Sequence, residues 1–142
     1  MAIIAIVVSL ILYLCERRTG SPRLLVFLPA VGVLLANGTS FVLKRLINRH
    51  RPPLEDQLLY HVNPSMPSGH AVGAFALATA VALVFKKSWT LLCFCIAAGV
   101  ATSRLYVGVH WLSDVVVGAL VGCAVSLLAW WSLTSRDKRE VT

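Results

Sequence analysis

Charged residues are scarce in this chain. Asp, Glu, Lys and Arg make up 13% of its 142 residues, whereas hydrophobic residues make up 58%. Soluble globular domains contain about 25% charged residues, so this composition excludes an ordinary soluble domain. Apolar segments that approach or reach the length of a bilayer span alternate with short polar stretches, and this pattern predicts a polytopic membrane protein.

Acidic clusters and paired cysteines are lacking as well. Glu55 and Asp56 stand side by side in a polar stretch, and we interpret them as solvated loop charges rather than metal ligands. The four cysteines lie within or at the ends of apolar segments, where small buried side chains are more common than a zinc site or a disulfide framework. We therefore expect no metal, no cofactor and no disulfide framework.

Basic residues give the chain a net charge of +7, but they do not indicate nucleic-acid binding. They stand in short clusters between apolar segments, where topology signals and anionic headgroups explain them better. If loop 44–70 lies on one side of the membrane, eight basic residues lie on the other: Arg17, Arg18, Arg23, Lys86, Lys87, Arg136, Lys138 and Arg139. The positive-inside rule makes that other side cytoplasmic, so we expect loop 44–70 to be extracytoplasmic.

The apolar segments divide the chain into five predicted membrane helices within a single domain, residues 1–142. These helices cover residues 2–14, 24–43, 71–85, 89–107 and 111–133. The predicted fold is therefore an all-α transmembrane bundle. Loop 44–70 contains four prolines, so it cannot be a regular helix, and it must lie at a membrane surface or line a polar cavity. The first segment begins at Met1 without a positively charged flank, and we do not expect a secretory signal peptide.

Polar residues embedded in so apolar a chain indicate a functional site. Lys44 and Arg51 are seven positions apart, so they lie on one helix face if the helix continues through Asn48. An interfacial anchor would explain the same pair. The run Pro67-Ser68-Gly69-His70 is typical of a helix start, where free N–H groups bind anions. A plain helix cap explains the first three of these residues but not His70.

His110 and Asp114 are four positions apart at the predicted start of the last helix. They then share a face on which Asp114 can accept a hydrogen bond from His110. Such a carboxylate fixes the histidine tautomer and makes the other ring nitrogen more basic, as an activated nucleophile requires. A structural polar pair between helices is the alternative. Gly118 and Gly122 continue the same stripe and predict that it faces the inside of the bundle.

These residues resemble the signature of the phosphatidic acid phosphatase type 2 superfamily of integral membrane lipid phosphatases. The three ordered parts of the signature are Lys44, six residues, then Arg51-Pro52; Pro67-Ser68-Gly69-His70; and Ser103-Arg104, five residues, His110, three residues, Asp114. Every signature position is filled. Membrane members of the family typically have six helices, so the resemblance predicts that the first family helix is missing from this chain.

The resemblance implies a mechanism that needs no metal. His110, oriented by Asp114, attacks the phosphorus and forms a phosphohistidine, while His70 protonates the leaving oxygen and later helps to activate water. The implied ligands of the phosphoryl oxygens are Lys44, Arg51, Ser68, the backbone N–H of Gly69, and Arg104.

The expected substrate is a lipid phosphate or diphosphate in the outer leaflet of a bacterial plasma membrane. We favour hydrolysis of undecaprenyl diphosphate to the monophosphate, with phosphatidylglycerophosphate and phosphatidic acid as alternatives. Arg45 and Arg49 either attract a diphosphate or anchor the helix at the interface. We interpret His50 and His61 as interfacial residues, and His61 is also a candidate for contacting a headgroup. A membrane scaffold or channel would need no activated histidine, and vanadium haloperoxidases, which share this set of residues, are soluble.

Overall fold

The computed structural model describes the backbone of residues 1–19 and 24–140 and the side chains of residues 1–15 and 24–135. In this part of the chain it contains helices and no strands. Its five α-helices are α1 (Ala2–Thr19), α2 (Leu28–Ile47), α3 (Gly69–Phe85), α4 (Leu91–Tyr106) and α5 (Leu112–Glu140). Short 3-10 turns lie at Leu24–Phe27, Leu54–Asp56 and Ser88–Thr90. The predicted all-α fold with five helices is confirmed.

Three helical segments are long and apolar enough to cross a membrane: Leu24–Ile47, Ser88–Tyr106 and Leu112–Ser135. The other two predicted membrane helices are apolar but shorter. The 17 residues of α3 span about 25 Å at the helical rise of about 1.5 Å per residue. Large apolar side chains such as Leu92 and Leu120 are exposed on the outer faces of the long helices, as expected for surfaces that contact lipid. The protein is therefore an integral membrane protein.

Helix α3 is packed against α2, α4 and α5, because its many alanines let the other helices approach closely. Its alanines at positions 71, 74, 76, 78 and 80 are buried. Gly118 and Gly122 of α5 face this helix. A Cβ atom at Gly118 would lie 2.8 Å from the Ser68 carbonyl oxygen, and one at Gly122 would lie 2.9 Å from the Ala76 nitrogen. The predicted inward-facing glycine stripe is confirmed.

Polar connections collect at one end of the bundle. Loop 48–68, between α2 and α3, lies at the same end as the turn between α4 and α5. The Leu58 N–H donates to the Val107 carbonyl oxygen at 2.9 Å, and the Ser68 N–H donates to the Asp114 carbonyl oxygen at 2.9 Å. The two connections are thus tied to each other, and their side chains can form one site.

Helix α2 ends at Ile47, so the condition for Lys44 and Arg51 to share a helix face, a helix that continues through Asn48, is not met. Asn48 adopts a left-handed conformation with φ 44° and ψ 43°, and its N–H donates to the Lys44 carbonyl oxygen. Asparagine tolerates this conformation better than most residues and commonly ends a helix. Lys44 and Arg51 are therefore brought together by the path of the loop and not by a shared helix face.

Lys86 and Lys87, which follow α3, are exposed at the opposite end of that helix. The remaining basic residues of the predicted cytoplasmic side are outside the described side chains: Arg17, Arg18, Arg23, Arg136, Lys138 and Arg139. The predicted orientation in the membrane stays a prediction.

Candidate active site

A cavity of about 350 Å³ lies at the polar end of the bundle. Five of the eight predicted site residues line it: Lys44, Arg51, Gly69, His70 and His110. Its other lining residues are Met1, Ala2, Asn37, His61 and Asn63. Parts of the chain that are distant in sequence therefore converge on one polar cavity.

Lys44 and Arg51 are held at this cavity by backbone carbonyl groups. Lys44 Nζ donates to the Pro64 carbonyl oxygen at 2.7 Å. Arg51 donates from Nη1 to the Val109 carbonyl oxygen at 2.6 Å and from Nε to the Asn63 carbonyl oxygen at 2.8 Å. These bonds fix the position of both cations, and an ammonium and a guanidinium group together have more donors than the bonds use. The arrangement favours an anion site over a pair of snorkelling interfacial anchors.

The run from Pro67 to His70 begins α3, as predicted, with Ser68 at the capping position. Ser68 makes no side-chain capping bond. Its Oγ atom is buried and has no hydrogen-bond partner among the described residues. A helix cap therefore does not account for this hydroxyl group, which is next in the chain to the cavity-lining Gly69 and His70.

His110 precedes α5, and Asp114 lies in the first turn of that helix. His110 is 7% exposed and Asp114 is 0% exposed. His110 Nδ1 lies 3.4 Å from Asp114 Oδ2 but without hydrogen-bond geometry, and Oδ2 accepts instead from the Trp111 N–H at 2.9 Å. The structure thus places the pair within reach, whereas the expected hydrogen bond is not formed in this conformation. Bonds between catalytic groups are often long before a substrate binds.

Burial is the largest of the effects that lower the pKa of His110 to about 4; the nearby Arg51 and Lys44 also lower it, and Asp114 opposes them. The imidazole ring is therefore neutral at neutral pH. A neutral ring carries one proton and one lone pair. Because the Asp114 carboxylate lies beside Nδ1, the proton is favoured on Nδ1 and the lone pair on Nε2. This is the protonation state that a nucleophilic histidine needs.

Sequence reasoning missed the role of Arg49. Its Nη1 atom lies 2.9 Å from Asp114 Oδ1 and 2.5 Å from Ser113 Oγ, so Arg49 forms an ion pair with the buried carboxylate. No periodic pattern links a residue in an irregular loop to a helix residue 65 positions away. The one signal for this pair in the sequence was the opposite charge of its two members. Arg45, by contrast, is exposed, with its guanidinium carbon 4.3 Å from the centre of the Phe41 ring. It does not line the cavity, which favours an interfacial anchor over a residue that attracts a diphosphate.

Three predicted site residues do not line the cavity. Ser68 and Asp114 are buried. Arg104 is in the last turn of α4, where its Nε atom lies 3.3 Å from Ser103 Oγ, and its charge is within electrostatic range of His70. The structure therefore places Arg104 near the site but does not bring it into the cavity wall.

The remaining polar residues behave largely as expected. Glu55 and Asp56 are exposed in the loop, as predicted for solvated charges. The four cysteines are not the small buried side chains that were expected, because Cys15 and Cys95 are exposed and Cys93 and Cys123 are half-buried. His61 is half-buried and lines the cavity, and its Nδ1 atom has no partner among the described residues. His61 is therefore placed where it can contact a bound headgroup.

Residues 25–138 match the sequence model of the PAP2 superfamily. The bacitracin transport permease protein BcrC of Bacillus licheniformis is 29% identical to this chain over 130 residues, which cover 87% of this chain and 63% of the relative. The undecaprenyl-diphosphatase of Sulfolobus acidocaldarius is 30% identical over 131 residues, which cover 89% of this chain and 61% of the relative. The chain thus spans about three fifths of the length of these two relatives.

A solved structure has the same fold. The crystal structure of a transmembrane PAP2-type phosphatidylglycerolphosphate phosphatase from Bacillus subtilis matches with a TM-score of 0.66 and 23% identity, covering 96% of this chain and 68% of that chain. At this level of identity, the match concerns the helical architecture alone.

Proposed function

Because the chain belongs to the PAP2 superfamily, we propose that it is a membrane lipid phosphatase whose active site is the cavity lined by Lys44, Arg51, His70 and His110. One observation carries this proposal: two histidines and two cations converge on that cavity, with a buried carboxylate beside His110. A scaffold or channel would not need these groups together.

His110 Nε2 is the proposed nucleophile. It attacks the phosphorus in line, so that a P–N bond forms and the P–O bond to the leaving group breaks, while His70 gives a proton to the departing oxygen. Water then attacks the phosphohistidine and passes a proton to His70, and the P–N bond breaks to release phosphate. Asp114 stabilises the positive charge that the His110 ring carries in the intermediate.

Lys44 and Arg51 neutralise the phosphoryl oxygens, whose negative charge must be stabilised in the transition state. The N-terminus of α3 adds backbone donors at Gly69, and the unpartnered Ser68 hydroxyl supports a role for this residue at the site. These groups supply the positive potential that many phosphotransferases obtain from magnesium, and activity without added metal is part of the proposal.

An apolar groove supports a lipid substrate. A groove of about 430 Å³ runs between α1, α3 and α4, lined by residues such as Leu77, Phe85 and Ile96, and Met1 borders both this groove and the polar cavity. A lipid that places its phosphate at His110 can therefore lay part of its hydrocarbon chain along α3.

Within this class, we propose hydrolysis of undecaprenyl diphosphate to the monophosphate at the extracytoplasmic face of a plasma membrane. The Sulfolobus acidocaldarius relative is named for this substrate, and the positive-inside rule supports the location. Phosphatidylglycerophosphate is the alternative, because the Bacillus subtilis protein of the same fold is named for it.

The test is phosphate release by the purified protein in mixed micelles of one detergent composition, with undecaprenyl diphosphate, phosphatidylglycerophosphate and phosphatidic acid as substrates. We expect the highest kcat/KM for undecaprenyl diphosphate and no release by the His110→Ala variant. A clear preference for either phospholipid would reject the proposed substrate and retain the phosphatase. No release from any lipid or from a soluble phosphate ester would reject the enzyme in favour of a scaffold or channel.

A further inference from the structure

Asp114 is a fully buried carboxylate, and such a group is costly unless a positive charge compensates it. Arg49 provides that charge through its contact of 2.9 Å with Oδ1. The guanidinium group also contacts Ser113 Oγ, and its carbon lies 5.7 Å from the centre of the Trp111 ring. Arg49 is therefore fixed against the first turn of α5 by several independent contacts.

The other cations near Asp114 are engaged elsewhere. Lys44 donates to loop carbonyl oxygens, and Arg51 donates to Asn63 and to the Val109 carbonyl oxygen. Among the described side chains, Arg49 is the one permanently charged cation within 4 Å of the Asp114 carboxylate. It does not line the polar cavity, so its contact is with the carboxylate and not with the space where a phosphate would bind.

The two oxygens of Asp114 have separate partners. Oδ1 faces Arg49, whereas Oδ2 accepts from the Trp111 N–H and lies beside His110 Nδ1. Rotation of the carboxylate away from His110 would break both bonds at 2.9 Å. The ion pair thus holds one oxygen towards the ring that must carry positive charge during phosphate transfer.

We propose that Arg49 is a positioning residue, which holds the Asp114 carboxylate directed at His110, and this inference rests on the proposed phosphatase function. Without Arg49, one of the two bonds at 2.9 Å is lost, and the bond from the Trp111 N–H is left to oppose rotation of the carboxylate. A carboxylate that has turned away from His110 no longer stabilises the positive charge of the ring, so phosphate transfer slows while substrate binding in the cavity is retained.

Other charged and titratable groups surround the pair and must stay constant in a test. Lys44 at the end of α2 and Arg51 in the loop both act electrostatically on His110. His70 at the start of α3 lines the same cavity, and Arg104 of α4 acts on His70. Because these groups remain in an Arg49 variant, a change in its kcat reports the loss of Arg49 itself.

The experiment compares Arg49→Gln with Arg45→Gln in the purified protein, with the same lipid substrate at the same pH. Arg45 is the matched control, because it is an exposed arginine four positions earlier that contacts Phe41 and not Asp114. We expect Arg49→Gln to lower kcat by about 10- to 100-fold, the range seen in metalloenzymes when a residue that orients a metal ligand is removed. Its KM should stay within about twofold of the wild-type value, and Arg45→Gln should match the wild type.

Arg49→Lys keeps the charge and should retain most of kcat, which protects the test if the glutamine variant folds poorly. A change confined to KM, or a wild-type kcat in Arg49→Gln, would overturn the proposal. So would a lysine variant as impaired as the glutamine variant.

Coupling to Asp114 is measured without turnover, by the Tm values of wild type, Arg49→Gln, Asp114→Asn and the double variant. We expect the double variant to be destabilised by much less than the two single losses combined. Additive losses would contradict the ion pair. If the four Tm values show this coupling but the wild-type protein hydrolyses no lipid, the proposed function is wrong and the Arg49–Asp114 ion pair is retained.

Discussion

Asparagine at position 114 would keep the shape of the side chain but remove one acceptor and the negative charge. In the structure, Oδ1 accepts from Arg49 and Oδ2 accepts from the Trp111 N–H, each at 2.9 Å. Because an amide has one oxygen and one NH₂ group, a donor must face a donor in either orientation. The orientation that satisfies Arg49 turns the NH₂ group towards His110 Nδ1. His110 then accepts at Nδ1 and carries its proton on Nε2, where it can no longer attack phosphorus.

Asp114→Asn should lower both kcat and the stability of the folded protein. The equivalent change in a Ser-His-Asp triad lowers kcat by about 10⁴-fold through the wrong histidine tautomer, and we expect a loss of about 10³- to 10⁴-fold. Breaking one side of a buried ion pair costs about 3–5 kcal/mol of stability. Because the Arg49 side chain is 36% exposed and water can replace its partner, we expect a cost of about 3 kcal/mol or less.

The assay is phosphate release together with thermal unfolding in the same detergent. Asp56→Asn is the matched control, since Asp56 is an exposed loop carboxylate, and it should leave both kcat and Tm unchanged. An Asp114→Asn variant whose kcat lies within tenfold of the wild type would refute the tautomer argument. Asp114 would then be a structural polar residue that links loop 48–68 to α5.

Three further predictions concern pH, metal and topology. Burial depresses the pKa of His110 from its ordinary value of 6.5 to about 4, so the unfolded chain binds a proton at this residue at a higher pH than the folded protein does. The resulting contribution to stability, roughly 1–3 kcal/mol after allowance for solvent screening, is present above pH 6.5 and is lost as the pH falls towards 4. His110→Gln should therefore show a flatter decline of Tm over that range. Turnover should persist in excess chelator and be inhibited by vanadate, because Lys44 and Arg51 supply the positive charge, and a strict requirement for added magnesium would contradict this. In a cysteine-free background, Val62→Cys should react with an impermeant thiol reagent outside intact cells and Lys87→Cys should not, whereas the opposite pattern would reverse the orientation.

The helices could be predicted because their signals are local. Apolar length identified five segments, and the prolines of the polar loop marked where helices cannot continue. The stripe of Gly118 and Gly122 predicted the face of α5 that packs against α3, since the absence of a side chain is itself the signal for close approach. Asn48 escaped prediction because its left-handed conformation ends the helix without a glycine or proline at that position.

Several residues that line the cavity could be predicted from the sequence, whereas contacts that depend on the path of the loop could not. Lys44, His70 and His110 belong to three motifs with short fixed spacings, and the resemblance of these motifs to the superfamily signature implied that they converge on one site. The contact between Arg49 and Asp114 depends on how that loop folds over α5, and no short-range pattern encodes such a path. The same limit applies to Arg104, whose spacing to His110 fits the signature but whose side chain lies outside the cavity wall.

In the proposed mechanism, His110 carries the phosphoryl group during turnover. Rapid quenching of the enzyme with a ³²P-labelled lipid diphosphate, followed by peptide mapping under alkaline conditions that preserve phosphohistidine, tests it directly. We expect acid-labile, base-stable label on the peptide containing His110, and none in His110→Ala, which should remain folded in detergent. Label on another residue, or undiminished turnover in His110→Ala, would contradict it.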